Sequence, residues 1–133
     1  MTLKTTLTTI TAGLLLSAGA ALAADPLEGY WRTAADDNGN SGIIHVTPCG
    51  AKLCGTLVKS YDASGQEWNS PNLGRRIISD TVNKGNGSYA GRVYSPDRNK
   101  TYNSRLKLSG TALKVSGCVL GICRDGGTWQ KVK

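Results

Sequence analysis

Clusters of turn-forming residues interrupt this chain at short intervals. They read "DDNGN" (36–40), "CGAKLC" (49–54), "DASG" (62–65), "NKGNG" (83–87), "SPDRNK" (95–100), "LSGT" (108–111) and "CRDGG" (123–127). Gly, Asn, Asp, Pro and Ser each favour a turn for their own backbone reasons. Between the clusters lie short runs rich in Val, Ile, Leu, Thr and Tyr. After residue 23, no uninterrupted stretch has room for a long amphipathic helix. Evenly spaced short strands punctuated in this way predict an all-β barrel or sandwich. Eight strands are expected, over 28–34, 41–48, 53–60, 76–82, 88–95, 100–108, 112–118 and 126–132.

Alternation then assigns faces, because successive strand residues point to opposite sides of a sheet. In "TYNSRLKLS" (101–109), Tyr102, Ser104, Leu106 and Leu108 share one side, and Thr101, Asn103, Arg105 and Lys107 the other. The first set reads as interior. The same parity places Leu113 and Val115 inside, and puts Ile44 and Val46 on a face opposite His45. Gly91 on the interior face marks a cavity or a bulge, both of which use glycine in a strand. The longest irregular stretch, "YDASGQEWNSPNLGRR" (61–76), carries Trp68 and the pair Arg75-Arg76. Long loops in small domains are frequent carriers of function. It reads either as a lid over a ligand or as a mobile connection whose Trp68 covers one end of the core.

The first residues, "MTLKTTLTTITAGLLLSAGAALAADP", have one basic residue (Lys4), an apolar run and small residues at Ala21 and Ala23. That is the layout of a cleaved export signal, with cleavage after Ala23 and a single domain over 24–133. The apolar run is too short to anchor the chain stably across a bilayer. A periplasmic or secreted, monomeric product is expected.

Export bears on the four cysteines, Cys49, Cys54, Cys118 and Cys123. In an oxidising compartment an even count reads as disulfides rather than a zinc site. Each pair has the spacing C-x4-C, which makes the two sulfurs neighbours across a hairpin, so the pairing 49–54 and 118–123 is expected. The formal net charge of +7 is dispersed along the chain rather than clustered. It reads as a solubilising surface with no nucleic-acid partner.

Little in the chain supports catalysis. The one histidine, His45, stands between Ile44 and Val46 with no carboxylate beside it. Hydrolytic triads and most transition-metal sites need more than that. The carboxylates fall almost all in turns, and "DDNGN" lacks the closing Glu of a calcium loop. No metal, no cofactor and no catalytic group are expected.

The ordered combination "DPLEGYWRT", "VTPCGAKLCGTLV", "GRVYSPDRNKTYNSRLKL", "LKVSGC" and "GTWQKV" resembles a family of small exported bacterial proteins known as a domain of unknown function. The "GYW" start is also similar to the calycin barrels, the lipocalin-like ligand carriers. In these a Gly-x-Trp opens the first strand and a basic residue near the last strand packs across the Trp. Gly29 and Trp31 match the first part, Trp129 lies near the end, and Arg124 is the candidate for the second part. The resemblance implies an eight-stranded up-and-down antiparallel barrel with Trp31 plugging one end. A small, partly apolar or acidic ligand would then lie at the other end. Its walls would be Ile44, Val46, Leu57, Val93, Tyr102, Ser104, Leu106 and Val115, beneath the lid with Trp68, Arg75 and Arg76. The same side chains would otherwise simply meet and fill the interior, and two other functions remain: a protein-binding barrel similar to secreted protease inhibitors, and a basic module docked on an anionic envelope polymer.

Overall fold

The computed structural model describes residues 23–133. The segment read as an export signal lies outside them apart from Ala23. The described residues fold into eight strands: β1 (Gly29–Arg32), β2 (Ser41–Cys49), β3 (Lys52–Tyr61), β4 (Arg76–Gly85), β5 (Ser88–Ser95), β6 (Lys100–Ser109), β7 (Ala112–Val119) and β8 (Ile122–Lys131). Each pairs antiparallel with its sequence neighbour, and β1 pairs with β8, so the sheet closes into an up-and-down barrel. No helix among these residues is long and apolar enough to cross a membrane.

Connection length gives the barrel two unlike ends. Three two-residue turns, at Gly50-Ala51, Asn86-Gly87 and Gly110-Thr111, lie at the end where β1 begins. At the other end run the connections 33–40, 62–75 and 96–99, together with one tight turn at Leu120-Gly121. Asn86-Gly87 is the expected chemistry for a turn with both central residues at positive φ (54° and 78°). Leu120-Gly121 repeats that geometry, at φ 51° and 81°, with a bulky side chain in the Asn position. A left-handed backbone costs a non-glycine residue on the order of 1 kcal/mol.

The first end is closed by packing. Residues 25–28 turn beneath it and bury Leu27 beside Trp31, both fully inaccessible. Trp31 Nε1 donates to the Leu27 carbonyl at 2.8 Å. Val46, Leu53, Ile78, Tyr89, Leu106 and Leu113 complete this half of the core. Gly55 is small by necessity, since a Cβ there would lie 2.7 Å from Ile44 Cγ2. The Tyr89 hydroxyl donates to Asp25 Oδ1 at 2.6 Å and ties the N-terminal turn to β5.

Several sequence expectations change here. β8 starts at Ile122 rather than 126, so "CRDGG" lies within the strand. Cys118 pairs directly with Cys123, which forces the turn back to 120–121. Gly126-Gly127 forms a bulge opposite Val115, between the pairs Lys114↔Thr128 and Ser116↔Asp125. Gly91 faces a bulge in β4 rather than a cavity. A Cβ there would meet Thr81 Oγ1 at 2.5 Å and the Ser79 carbonyl at 2.7 Å. Both expected disulfides, Cys49–Cys54 and Cys118–Cys123, are present.

Candidate functional site

The packed core fills only the half of the barrel nearest Trp31. The other half encloses a cavity of about 1060 Å³ that opens between the three longer connections and the tight turn of the far end. Its apolar wall is built from Ile44 and Leu57 on β2 and β3, Ile77 on β4, Val93 on β5, Tyr102 on β6, Val115 on β7 and Trp129 on β8. The space exists because part of the wall carries no side chains. Gly117 faces Tyr102 Cβ at 3.4 Å from its own missing Cβ, and Gly126 and Gly127 bulge alongside. Sequence reasoning overlooked these three glycines as wall residues: Gly126 and Gly127 in "DGG" carry the same local signal as a turn, and Gly117 has no side chain to mark a face.

Of the expected ligand-facing residues, Ile44, Leu57, Val93, Tyr102, Val115 and Trp68 line the cavity. Val46, Ser104 and Leu106 point inward too, but they lie deeper, in the packed half, and do not line it. Strand rise explains the difference, because two residues along a strand move a side chain about 7 Å along the barrel. Ser104 Oγ is buried and has no hydrogen-bond partner among the described residues.

The arginines of the expected lid stand elsewhere. The Arg75 guanidinium lies 4.4 Å from the Tyr94 ring centroid, and Arg76 begins β4 opposite Thr56. Both are exposed, and neither lines the cavity. Trp68 does belong to the rim: Ser60 Oγ donates to its carbonyl at 2.6 Å, and the Trp68 N–H donates to the Ser60 carbonyl at 3.0 Å. Earlier in the same loop Asp62 Oδ1 accepts from Ser64 Oγ and from the Ser64 and Gln66 N–H groups. The Ser64 hydroxyl and then the Gln66 N–H hold this carboxyl below its ordinary range.

The connection 33–40 bends over the opening. Asp36 Oδ1 accepts from the Asn38 and Asn40 N–H groups, which shapes the loop. At its tip the Asp37 N–H donates to Asp97 Oδ2 at 3.1 Å, and Asn38 Nδ2 to Asp97 Oδ1 at 3.4 Å. Asp97 belongs to the β5–β6 connection, half way round the barrel, so these contacts span the mouth.

Arg124 does not pack across Trp31. Because β8 starts at Ile122, Arg124 pairs opposite Gly117 at the cavity mouth. That is seven residues, or about 23 Å of strand, from the position beside Trp31. The cation over Trp31 is Lys131, whose Nζ lies 5.3 Å from the ring centroid. The same Nζ donates to the carbonyls of Pro26 at 3.0 Å and Glu28 at 2.9 Å. One ammonium thus holds the plug and the turn beneath it.

Burial on its own would raise the Asp25 carboxyl. Hydrogen bonds from the Tyr89 hydroxyl, the Leu27 N–H and Asn83, with the Lys131 charge, outweigh it and hold the group below its ordinary range. Burial, then the bond to Asp25, pushes the Tyr89 phenol upward. It therefore stays a proton donor at neutral pH. His45 stacks on Tyr30 on the outer face, with ring centroids 4.0 Å apart.

A closed eight-stranded barrel, plugged at one end by a Trp under a cation and hollow at the other, has the architecture of the lipocalin-like barrels. In a comparison with solved structures, the fold is similar to "Protein HP1028 from the human pathogen Helicobacter pylori belongs to the lipocalin family". The TM-score is 0.60 and the identity 20%, over 80% of this chain and 83% of that one. The chain belongs to the family described as "Uncharacterized protein conserved in bacteria (DUF2147)", whose model matches residues 29–131. No curated protein matches it.

Proposed function

We propose that this protein is an exported, non-catalytic binding barrel that holds one small, partly apolar molecule in the half-open cavity. The observation that carries the reading is the division of the interior. A barrel needing only a stable core could be filled from end to end. Here the filling stops at the level of Val115, and about 1060 Å³ of apolar-walled space follows. That volume lies just above the usual range of small-molecule sites, about 300–1,000 Å³, which combine apolar walls with a few polar groups. In this cavity Ile44, Leu57, Val93 and Trp129 would take the apolar body. Tyr102 and the polar loop residues at the mouth would meet the polar end, and Arg98 and Arg124 there suit an acidic head group. The two disulfides agree with an oxidising, extracytoplasmic home. The likeness to a lipocalin-family protein supports the fold, and through it the binding class.

Titration with an apolar fluorescent probe tests the reading. The protein is expected to bind the probe saturably and one to one. Gly117→Phe should abolish binding while leaving the barrel folded, since a Cβ at Gly117 meets only ordinary contacts and the residue lines the cavity. Lys107→Ala, on the outer face, should bind as the original does. No probe binding, or undiminished binding by a folded Gly117→Phe protein, would refute it. Native mass spectrometry of the protein taken from its own extracytoplasmic fraction would identify a retained molecule.

A further inference from the structure

The cations that lie scattered along the sequence do not stay scattered in the fold. The register of three adjacent strands brings four of them together on the outer face. Lys107 on β6 stands directly opposite Lys114 on β7, Arg105 opposite Ser116, and Arg92 on β5 opposite Asn103. Residues opposed in this way share a face, with Cβ atoms about 4.5–5.5 Å apart, and diagonal neighbours follow at about 7–8 Å. Arg105 is diagonal to both Arg92 and Lys114, so the four form one continuous patch. All four are exposed. Like charges directly opposite destabilise a sheet, and Lys107 with Lys114 is such a pair. The Lys107 ammonium donates to the Asn86 carbonyl at 2.7 Å and to Ser88 Oγ at 3.4 Å, contacts that leave its charge in place. A local rule broken on a solvent face points to function there.

The patch stays positive when the bordering charges are counted. Asp80, in the bulge of β4 beside Arg92, and Asp125, on β8 opposite Ser116, flank it, and Lys84 stands in the next bulge of β4 beside Ser88. The one ion pair among the described residues joins Lys59 to Glu67, so none of the patch cations is neutralised by a close carboxylate. Asp125 Oδ1 accepts from the Gly127 N–H. Asp36, Asp37 and Asp97 belong to the connections at the cavity mouth, whereas Lys107 and Lys114 lie toward the closed end, next to the turns at 86–87 and 110–111. The rest of the face is polar. Ser88, Asn103 and Ser116 stand among the cations, and no large apolar side chain is exposed on β5, on β6 or on β7 short of Val119.

We propose that the outer face of β5–β7 binds a linear acidic polysaccharide. The four cations meet its acidic groups, and the short hydroxyl and amide side chains among them meet its sugar hydroxyls. A bilayer surface would take apolar side chains beside the cations, and a protein partner would take an apolar, aromatic centre. This face has neither. The patch lies on the outside of the barrel wall, so the proposal goes beyond the cavity reading and does not depend on it.

Isothermal titration at low salt tests it, using protein recovered from the extracytoplasmic fraction with its N-terminus verified by mass. Polygalacturonate, which carries a carboxylate on every sugar, is expected to bind, and to bind more weakly as salt is raised. Neutral dextran should give no binding heat. The double change Lys107→Gln, Lys114→Gln should weaken polygalacturonate binding about tenfold or more. Lys52→Gln, Lys59→Gln, which removes the same charge from β3, should change it by less than about twofold. Lys114→Glu separates binding from folding. It sets opposite charges across the pair, so it should raise the midpoint of urea unfolding and still lose the polysaccharide. Gly117→Phe, which fills the cavity, should bind the polysaccharide as the original does, so failure of the cavity reading and failure of this one give different results. The proposal is overturned if polygalacturonate does not bind, or if the two double variants lose binding equally. It is equally overturned if phosphatidylglycerol vesicles capture the protein through this patch and the polysaccharide does not.

Discussion

Trp31 and Lys131 are single residues on which the closed end depends. Trp31 is inaccessible, Trp129 is 5% exposed and Trp68 39%. Urea unfolding should rank their alanine variants in that order. Trp31→Ala should lose about 3–5 kcal/mol, as for a buried Trp, and Trp68→Ala should stay within about 0.5 kcal/mol. Lys131→Met keeps the hydrocarbon stem but removes the bonds to the Pro26 and Glu28 carbonyls, so it should cost about 1–3 kcal/mol. Asp25 gives the same region a pH dependence. Its carboxyl titrates lower in the folded chain than in the unfolded one, where about 3.9 is expected. Its contribution is therefore complete above about pH 4 and disappears as pH falls through the depressed folded value. The group is largely solvated, so the effect is small. Asp25→Asn should flatten the acid limb of a stability–pH curve below about pH 4, and a limb as steep as the original's would contradict the clasp.

At the scale of elements, the hairpins carry the argument. Each disulfide closes a short loop and adds about 2 kcal/mol in the chain-entropy picture. Reduction should lower the midpoint of thermal unfolding and leave the far-ultraviolet dichroism of the barrel intact. Gly91→Ala should do more harm than a strand glycine on open ground. Its new Cβ would strike Thr81 Oγ1 and the Ser79 carbonyl, for a loss of about 1–3 kcal/mol by urea unfolding. Much of this level was legible in the sequence. The alternation Tyr102, Ser104, Leu106, Leu108 gave the correct face of β6, and seven strands began within one residue of their expected starts. β8 escaped because Gly126 and Gly127 have turn propensity. The pairing of Asp125 and Thr128 with β7 on either side of them, in register with Cys118 opposite Cys123, keeps the strand going through that local preference as a bulge. The identity of the cation over Trp31 was lost with it.

For the whole molecule, parity tells inside from outside but not how deep a side chain lies. Depth depends on where each strand starts and how far its neighbour is offset, which the sequence does not state locally. That is why Ile44, Val93 and Tyr102 line the cavity while Val46, Ser104 and Leu106, on the same face, lie beneath it in the packed half. Ser104→Ala should leave stability unchanged or slightly raised, because it removes a buried hydroxyl with no partner. A loss above about 1 kcal/mol would mean that the hydroxyl is satisfied in solution.

The contact between Lys131 and the Pro26 carbonyl spans 105 residues of chain. Seven of the eight strand pairings join sequence neighbours, but the eighth joins the two ends of the barrel. Closure is therefore expected to be the late event of folding, preceded by a curled open sheet whose β1 and β8 edges are still unpaired. Such long-range steps belong to the slow, millisecond-to-second regime. In refolding of a Trp68→Phe, Trp129→Phe protein, the emission of Trp31 should change in the slowest phase. Backbone protection of the β7–β8 hairpin should precede it. Until that phase ends the chain presents two unsatisfied sheet edges, so the yield of refolding should fall with protein concentration.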